Sequence, residues 1–184
     1  DIEYFHKIKP LSHGINVSSI NAYKGPNYYK VHIIGTILNS PIEQEILVFE
    51  NWPIIYFCLK IDWNEDLIVL KVENDLDIQT RYAIYEIQGA TIMRSTYPNT
   101  IYDIAKFEVP AHRWATLEEG LYGVALLSKD KYGYSCLGSN LALTLLRAPL
   151  SPDKKADRGK HEIWYGLYPY KGNWQLADVP VVAR

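Results

Sequence analysis

The chain has 184 residues, of which 48% are hydrophobic and 22% charged, and its formal net charge is −2. This composition is typical of a folded protein and excludes a disordered chain. The near-neutral charge lacks the basic surface with which proteins bind nucleic acid or anionic membranes, and no stretch reaches the ~20 apolar residues of a membrane span. We therefore expect one soluble domain with a sizeable core, and neither a nucleic-acid nor a membrane partner.

The first residues and the cysteines indicate what kind of chain this is and in which compartment it is expected. The sequence begins at Asp1 rather than Met, so we expect a piece of a longer protein. No charged segment followed by an apolar one opens it, and no secretory signal is therefore expected. Two cysteines, Cys58 and Cys136, are too few for a disulfide framework. Cys58 lies in the apolar run IIYFCLKI and is expected to be buried. This cysteine usage favours a cytoplasmic protein.

Short apolar or alternating segments, separated by turn residues, predict strands along most of the chain. Residues 1–26 indicate one or two strands. The next three candidates are joined by short connections and predict an antiparallel meander: residues 29–38, 42–49 and 54–63. Further strands are expected at residues 67–72, 78–88, 91–94, 105–109, 123–127, 141–146 and 162–168. Apolar residues nowhere recur with a helical period over three turns, so no long helix is expected.

The spacing of these strands, roughly ten residues, indicates an all-β fold in a single domain over residues 1–184. Because many strands are joined by small turns, we expect a large antiparallel two-sheet sandwich rather than a small immunoglobulin-like one. Two loops, residues 95–102 and 149–161, are long and polar, a feature of functional or mobile segments.

The acidic and histidine residues show no pattern typical of a catalytic site. A glycosidase requires two carboxylates at the scissile bond, but Asp62 and Glu65 in IDWNED are interpreted as a turn cap and a solvated carboxylate. Asp103 and Glu108 are interpreted as members of structural ion pairs. Zinc sites use His, Asp or Cys at paired spacings, and none occurs among the five histidines. Neither a serine nucleophile elbow nor a Gly-rich phosphate loop is present.

Cations and aromatic rings cluster at the ends of several strand candidates between residues 107 and 174. Ordinary strand ends are rich in Gly, Asn, Asp and Ser, so these clusters are candidates for binding residues. The chain also contains 15 tyrosines and five tryptophans. These rings either fill pleated sheet surfaces or stack on the C–H faces of sugars, and the sequence leaves both interpretations open.

Four segments carry a resemblance to a known family: TRYAIYEIQGATIMRST, AKFEVPAHRWATL, KYGYS followed by LLRAPLSPDKKADRGKHEIWYGLYPYKGNW, and EQEILVFENWPIIYFCLKIDWNEDLIVLKV. They resemble the β-region of the zinc-dependent retaining α-mannosidases, glycoside hydrolase family thirty-eight, in its cytosolic and microbial branch. The second segment is similar to the family's Ala-Arg-Phe-Glu-Val-Pro-Ala-His-Arg-Trp-Ala-Asp-Leu almost residue for residue. The resemblance covers residues 30–174 and leaves residues 1–29 unplaced.

The resemblance implies that the chain is the C-terminal β-sandwich of a larger enzyme, similar in fold to galactose mutarotase. The parent would hydrolyse terminal α-linked mannose of oligosaccharides, with its zinc ligands, nucleophile and acid on a separate catalytic domain. No catalytic residue, metal ligand or cofactor is therefore expected in this chain, and the isolated chain is expected to be inactive. The expected partners are that catalytic domain and a mannose-containing oligosaccharide. Homo-oligomer formation and cleavage of mannosylglycerate instead of mannosides stay open.

Some residues are implied to line the substrate cleft. The family's Asn-Asp-x-Lys-Tyr-Gly loop corresponds to residues 128–133, which makes Lys131 and Tyr132 candidates to reach sugar hydroxyls. Ser128 and Lys129 replace the Asn-Asp pair, which changes the hydrogen bonding of the loop. The guanidinium of Arg147, a further candidate, either reaches the catalytic domain or binds a carboxylate of the sandwich.

A structural corner is expected just before these candidates. It would place Arg113 beneath a tryptophan ring, and the weaker cleft candidates are His112, Arg113 and Trp114. The alternative to an enzyme fragment is a free-standing carbohydrate-binding or assembly module of the same ancestry. An exposed apolar patch near Lys131 and Arg147 would favour the fragment, and a polar face with one aromatic-lined groove would favour the free-standing module.

Overall fold

The computed structural model describes residues 14–184. They form strands and two helices of one turn each: β1 (Asn16–Lys24), β2 (Tyr28–Ile37), β3 (Ser40–Phe49), β4 (Trp52–Trp63), β5 (Leu70–Asp75), β6 (Tyr82–Ile87), β7 (Ala90–Ser95), α1 (Ile101–Ile104), β8 (Val109–Pro110), β9 (Trp114–Glu119), β10 (Tyr122–Ser128), β11 (Gly133–Leu137), β12 (Asn140–Leu146), β13 (Gly159–Lys171) and α2 (Val179–Val182). Nine strands belong to one antiparallel sheet and four to a second, which confirms the predicted all-β, two-sheet class. Among these residues, no helix has the length and apolar character needed to cross a membrane.

The described chain divides into two compact units. The meander unit comprises residues 14–70 and Leu145–Leu167, and the two-sheet unit comprises Lys71–Thr144 and Tyr168–Arg184. The expectation of a single domain over residues 1–184 stays a prediction.

In the meander unit, the strand order is β1-β2-β3-β4-β13. Tight hairpins join the first four strands, because each turn returns the chain directly alongside itself. The strands β2, β3 and β4 form the predicted three-segment meander. Side chains alternate between the faces of this sheet. One face carries the buried row Ile42, Ile61 and Ile163 at 4%, 3% and 1% exposure. The other face, which we call the polar face of the unit, carries charged and aromatic residues, among them Glu43, Glu45, Lys60, Tyr56 and Trp164.

In the two-sheet unit, the orders are β10-β9-β6-β7 in one sheet and β5-β12-β11-β8 in the other. Both sheets supply fully buried side chains, among them Trp114, Leu117, Leu126, Tyr134, Leu141 and Leu143. Each such aliphatic or aromatic side chain contributes about 1.5–3 kcal/mol when it leaves water. The fold of this unit is therefore fixed largely by these large residues.

The strand predicted at residues 105–109 is wrong in most of its length. Helix α1 precedes it, and only Val109–Pro110 form a strand, β8. A capping box explains the difference: the Thr100 hydroxyl accepts from Asp103 N, and the Asp103 carboxylate accepts from Thr100 N. The predicted ion pair of Glu108 is present, with Lys71 at 3.9 Å, whereas Asp103 caps the helix instead.

Candidate functional site

The loop of Lys131 and Tyr132 joins β10 to β11. Ser128 closes this loop, because its hydroxyl accepts a hydrogen bond from Lys131 N over 2.9 Å. Ser128 N in turn donates to Arg113 O over 2.8 Å. The serine that replaces the family's asparagine therefore closes this loop itself. The Tyr132 side chain is 59% exposed and Lys131 is partly exposed, so both reach solvent from a fixed backbone.

The structure brings His112 next to this loop. The His112 ring lies edge-on to the Tyr132 ring, with centroids 6.4 Å apart. A backbone hydrogen bond of 3.0 Å from Ala111 N to Tyr132 O joins the two segments. Three of the candidates, His112, Lys131 and Tyr132, thus form one surface cluster, which we call the Lys131 cluster.

The corner before β9 is built differently from the prediction. Arg113 pairs with the carboxylate of Glu86 on β6, through its backbone N–H (2.9 Å), its Nε (3.1 Å) and its Nη2. The ring of Trp114 is fully buried and packs against Trp174, with centroids 5.2 Å apart. The expected placement of Arg113 beneath a tryptophan ring is therefore wrong. The carboxylate offers a charged, bidentate acceptor that a ring lacks, which explains the preference.

The pairing shifts the pKa values of both Glu86 and Arg113. Burial raises the pKa of Glu86, but the hydrogen bonds and the charge of Arg113 outweigh it and hold this pKa below its ordinary value of 4.5. The pKa of Arg113 is raised, chiefly by the hydrogen bond to Glu86. Both groups therefore stay charged at neutral pH, and their pairing is structural.

Arg147 belongs to the meander unit, at the end of β12, whereas the Lys131 cluster belongs to the two-sheet unit. The backbone N–H groups of Arg147 and Ala148 both donate to Asp157 Oδ2 over 2.9 Å. Ala148 has a φ of 46°, in the left-handed region. The two N–H groups bound to Asp157 offset the strain that this region imposes on a residue with a Cβ. The side chain of Arg147 is exposed.

Glu65 is not the solvated carboxylate that the sequence indicated. It is 7% exposed, and its Oε1 accepts hydrogen bonds from Asn39 N over 2.8 Å and from Ser40 Oγ over 3.0 Å. The Ser40 hydroxyl also accepts from Asn64 N over 3.0 Å. Glu65 therefore fixes the β2–β3 turn. The other carboxylate oxygen, Oε2, accepts from Asn39 Nδ2 over 3.3 Å, so Glu65 has a structural role.

One cluster within residues 14–184 has the donor types of a metal site. His32, Glu43 and Glu45 bring three potential ligand atoms within 4.8 Å of one another on the polar face of the meander unit. Lys30 Nζ binds Glu45 over 3.0 Å, and Lys60 Nζ lies 3.8 Å from Glu43. Two ammonium groups on the carboxylates disfavour a bound cation, so this donor set does not fit zinc and forms a cross-strand ion-pair ladder instead.

An aromatic groove at the turn end of the meander unit was not predicted from the sequence. It has a volume of about 620 Å³, and its lining residues are Asn27, Leu47, Phe49, Asn51, Trp52, Tyr56 and Trp164. The alternation of these residues along β3, β4 and β13 indicates which face of the sheet their side chains occupy. Only the strand register places Trp164 beside the other rings. Cys58 pairs with Trp164 across β4 and β13, and Leu47 pairs with Tyr56 across β3 and β4.

The sequence is similar to a known family and to several known proteins. The model of "Glycosyl hydrolases family 38 C-terminal domain" matches residues 1–155, and so includes residues 1–29. "Alpha-mannosidase 2C1" from Homo sapiens is 45% identical over 141 residues, which cover 77% of this chain and 14% of that protein. "Alpha-mannosidase G" from Dictyostelium discoideum is 44% identical over 141 residues, 77% of this chain and 13% of that protein.

Among solved structures, an alpha-mannosidase from Enterococcus faecalis V583 superimposes with a TM-score of 0.79 at 13% identity. The match covers 89% of this chain and 23% of that one, and it supports the fold. The chain thus spans about one seventh of the length of the curated relatives that it matches, 14% and 13% in the two cases. The predicted resemblance is confirmed by the family match and by these relatives. The chain belongs to glycosyl hydrolase family 38 and corresponds to its C-terminal domain.

Proposed function

We propose that the chain is the non-catalytic C-terminal β-sandwich of a cytoplasmic α-mannosidase, and that it packs on the catalytic domain of that enzyme. The parent hydrolyses terminal α-linked mannose of oligosaccharides with retention of configuration. The observation that carries this proposal is the 45% identity to a protein named alpha-mannosidase over 77% of the chain. The short share of that relative which the chain spans, 14%, agrees with a catalytic domain elsewhere in the parent.

Several acidic residues have structural roles, which agrees with the proposed non-catalytic role. Glycosidases of the usual kind hold two free carboxylates about 5–10 Å apart across the scissile bond. Glu65, Glu86 and Asp157 instead accept hydrogen bonds that shape turns and corners. The His32, Glu43 and Glu45 cluster does not fit zinc, since lysines occupy its carboxylates. In this proposal, the zinc that the family resemblance implies is held by residues outside the chain.

The Lys131 cluster is the part of the chain that we propose to line the sugar cleft. Its backbone is fixed by Ser128, so the Lys131 ammonium is presented from a rigid base and can donate up to three hydrogen bonds to sugar hydroxyls. The exposed Tyr132 ring and the His112 imidazole stand beside it. Arg147 is proposed as a contact with the catalytic domain, because its side chain is exposed while its backbone is anchored to Asp157.

Substitution of Lys131 in the full-length parent enzyme tests the cleft assignment. Lys131→Ala should lower kcat/KM for α-mannosides about tenfold, as expected when a charged donor loses its substrate hydroxyl. Lys129→Ala is the matched control, because Lys129 lies two residues away in the same loop, is exposed, and should change kcat/KM less than about twofold. Equal effects of the two substitutions would contradict a cleft role for Lys131.

The free-standing module stays the alternative function. It is favoured by one observation, the aromatic groove on a polar face. The two functions predict different behaviour of the parent enzyme when this chain is removed. If the parent's catalytic part is fully active and stable without residues 14–184, the chain is a separate binding module. If that part unfolds or loses activity, the chain is an integral domain of the enzyme.

A further inference from the structure

Two hairpin turns of the meander unit meet to form the floor of the aromatic groove. The β1–β2 turn and the β3–β4 turn are joined by a backbone hydrogen bond of 3.0 Å from Glu50 N to Asn27 O. Gly25 allows this arrangement, because a Cβ there would lie 2.2 Å from the Tyr28 ring that packs on it. The groove is therefore held by backbone contacts and close packing, and it exists before any ligand binds.

The walls of the groove are aromatic and fixed in position. The rings of Phe49 and Tyr56 stand edge-on at 85°, with centroids 6.0 Å apart, and the centroid of the Tyr28 ring also lies 6.0 Å from that of Phe49. Trp52 projects from the turn with 48% of its surface exposed. Aromatic side chains offer a large contact area to a ligand with little loss of conformational entropy.

Polar groups surround these rings in positions that suit hydroxyl ligands. Trp52 Nε1 donates to Tyr56 Oη over 2.8 Å, which leaves the Tyr56 hydroxyl hydrogen to be donated elsewhere. Trp164 Nε1 donates to Glu162 Oε1 over 2.8 Å, and the carboxylate retains a second oxygen as an acceptor. The exposed amides of Asn27 and Asn51 at the two turns both donate and accept.

The charge around the groove selects among ligand classes. The groove lining contains no cation, which argues against a phosphate-bearing or nucleic-acid ligand. On the same sheet face, the charges of Lys30 and Glu45, and of Lys60 and Glu43, offset each other. The site thus combines flat rings with neutral amide and hydroxyl groups and one carboxylate acceptor, Glu162. Sugars have the complementary surface, apolar C–H faces rimmed by hydroxyls that both donate and accept hydrogen bonds.

We propose that this groove is a binding site for a neutral oligosaccharide, with a pyranose ring stacked on Trp52 and hydroxyls bound by Tyr56, Glu162 and the amides of Asn27 and Asn51. The volume, about 620 Å³, lies in the ~300–1,000 Å³ range of small-molecule sites. The Lys131 cluster contributes nothing to this site. The proposal therefore stands whether or not the chain lines a catalytic cleft.

Titration of the 184-residue chain with linear α-mannotriose, and in parallel with cellotriose, tests the proposal by calorimetry and tryptophan fluorescence. At least one of the two sugars should bind saturably, with a Kd of ~1 mM or tighter. Trp52→Ala should weaken that binding about tenfold, and Trp52→Phe should keep most of it because a stacking ring remains. Tyr102→Ala, a matched control at another exposed ring (73%), should bind like the unmodified chain.

Three outcomes would overturn the assignment. The first is no saturable binding of either sugar at tens of millimolar, and the second is equal binding by Trp52→Ala and the unmodified chain. The third is self-association that Trp52→Ala abolishes without sugar binding, which would assign the groove to a protein contact. Thermal unfolding of each variant checks that the substitution leaves the chain folded. Asn51→Ala, at an exposed turn position, gives a second test and should weaken binding about threefold.

Discussion

Glu86 and Arg113 are joined by three hydrogen bonds, one from the Arg113 backbone and two from its guanidinium. Glu86 lies on β6 and Arg113 immediately before β9, and these two strands are neighbours in the sheet. The pair therefore ties the corner to the sheet on which it is built. The same corner supplies the carbonyl that accepts from Ser128 N, so the pair also supports the loop of Lys131.

Arg113→Ala should lower the free energy of unfolding by about 1.5 kcal/mol, the low end for charged hydrogen bonds because the arginine side chain is 37% exposed. Urea unfolding measures the change. Arg158→Ala is the control, since Arg158 forms a similar pair with Asp66 but both side chains are about two-fifths exposed, at 39% and 42%. Its midpoint should hardly move. Equal shifts in the two variants would show that the burial of Glu86 is unimportant.

Acid should weaken the fold through the same pair. Because the pKa of Glu86 is lower in the folded chain than its ordinary 4.5, the unfolded state binds more protons as the pH falls. The contribution of Glu86 is fully present above about pH 4.5 and is lost as the pH falls through the folded-state pKa. Unfolding measured from pH 3 to 7 should show this loss. Glu86→Gln should flatten the curve in that window, and an unchanged slope would contradict the assignment.

Glu65→Ala should cost about 2 kcal/mol of folding free energy, because it leaves Asn39 N and Ser40 Oγ without their buried acceptor. Chemical denaturation measures the loss. Glu50→Ala in the next turn is the matched control, since the Glu50 side chain is exposed and should be nearly neutral. If both substitutions cost the same, the buried hydrogen bonds of Glu65 do not fix the β2–β3 turn.

Both thiols should be unreactive in the folded chain. Burial is the main reason that the pKa of Cys58 is raised to about 11, and it raises the pKa of Cys136 to about 12. Only the thiolate attacks a disulfide reagent, so labelling at pH 8 should be slow until denaturant is added. Rapid labelling of native Cys58, which has no exposed surface, would contradict the described packing.

The strands of the meander were predicted from the sequence within about two residues, because local hairpin turns determine them. The predicted strand at residues 29–38 is β2 (Tyr28–Ile37), and the one at residues 54–63 is contained in β4 (Trp52–Trp63). Larger errors lie elsewhere in the chain: β9 (Trp114–Glu119) and β11 (Gly133–Leu137) were not predicted, and α1 was not expected. The Thr100 and Asp103 capping box nucleates α1 where the residue pattern indicated only a loop before a strand.

The two candidate sites differ in whether they depend on local sequence or on the pairing of distant strands. The Lys131 loop joins β10 to β11, which are consecutive in the chain but lie in different sheets, and its resemblance to a family loop made it visible in the sequence. The aromatic groove depends on Trp164, which reaches Tyr56 and Trp52 only through the pairing of β4 with β13, more than 100 residues apart in the sequence. Sequence patterns fix which face a side chain occupies, but not which distant strand lies next to it.

The most direct test of the account is hydrolysis of p-nitrophenyl α-mannoside by the isolated 184-residue chain with zinc or cobalt added, and then again with the catalytic part of the parent enzyme supplied. A non-catalytic C-terminal domain predicts no turnover by the chain alone and activity once the catalytic part is present. Turnover by the isolated chain would mean that its own carboxylates perform the chemistry, and the proposed function would be wrong.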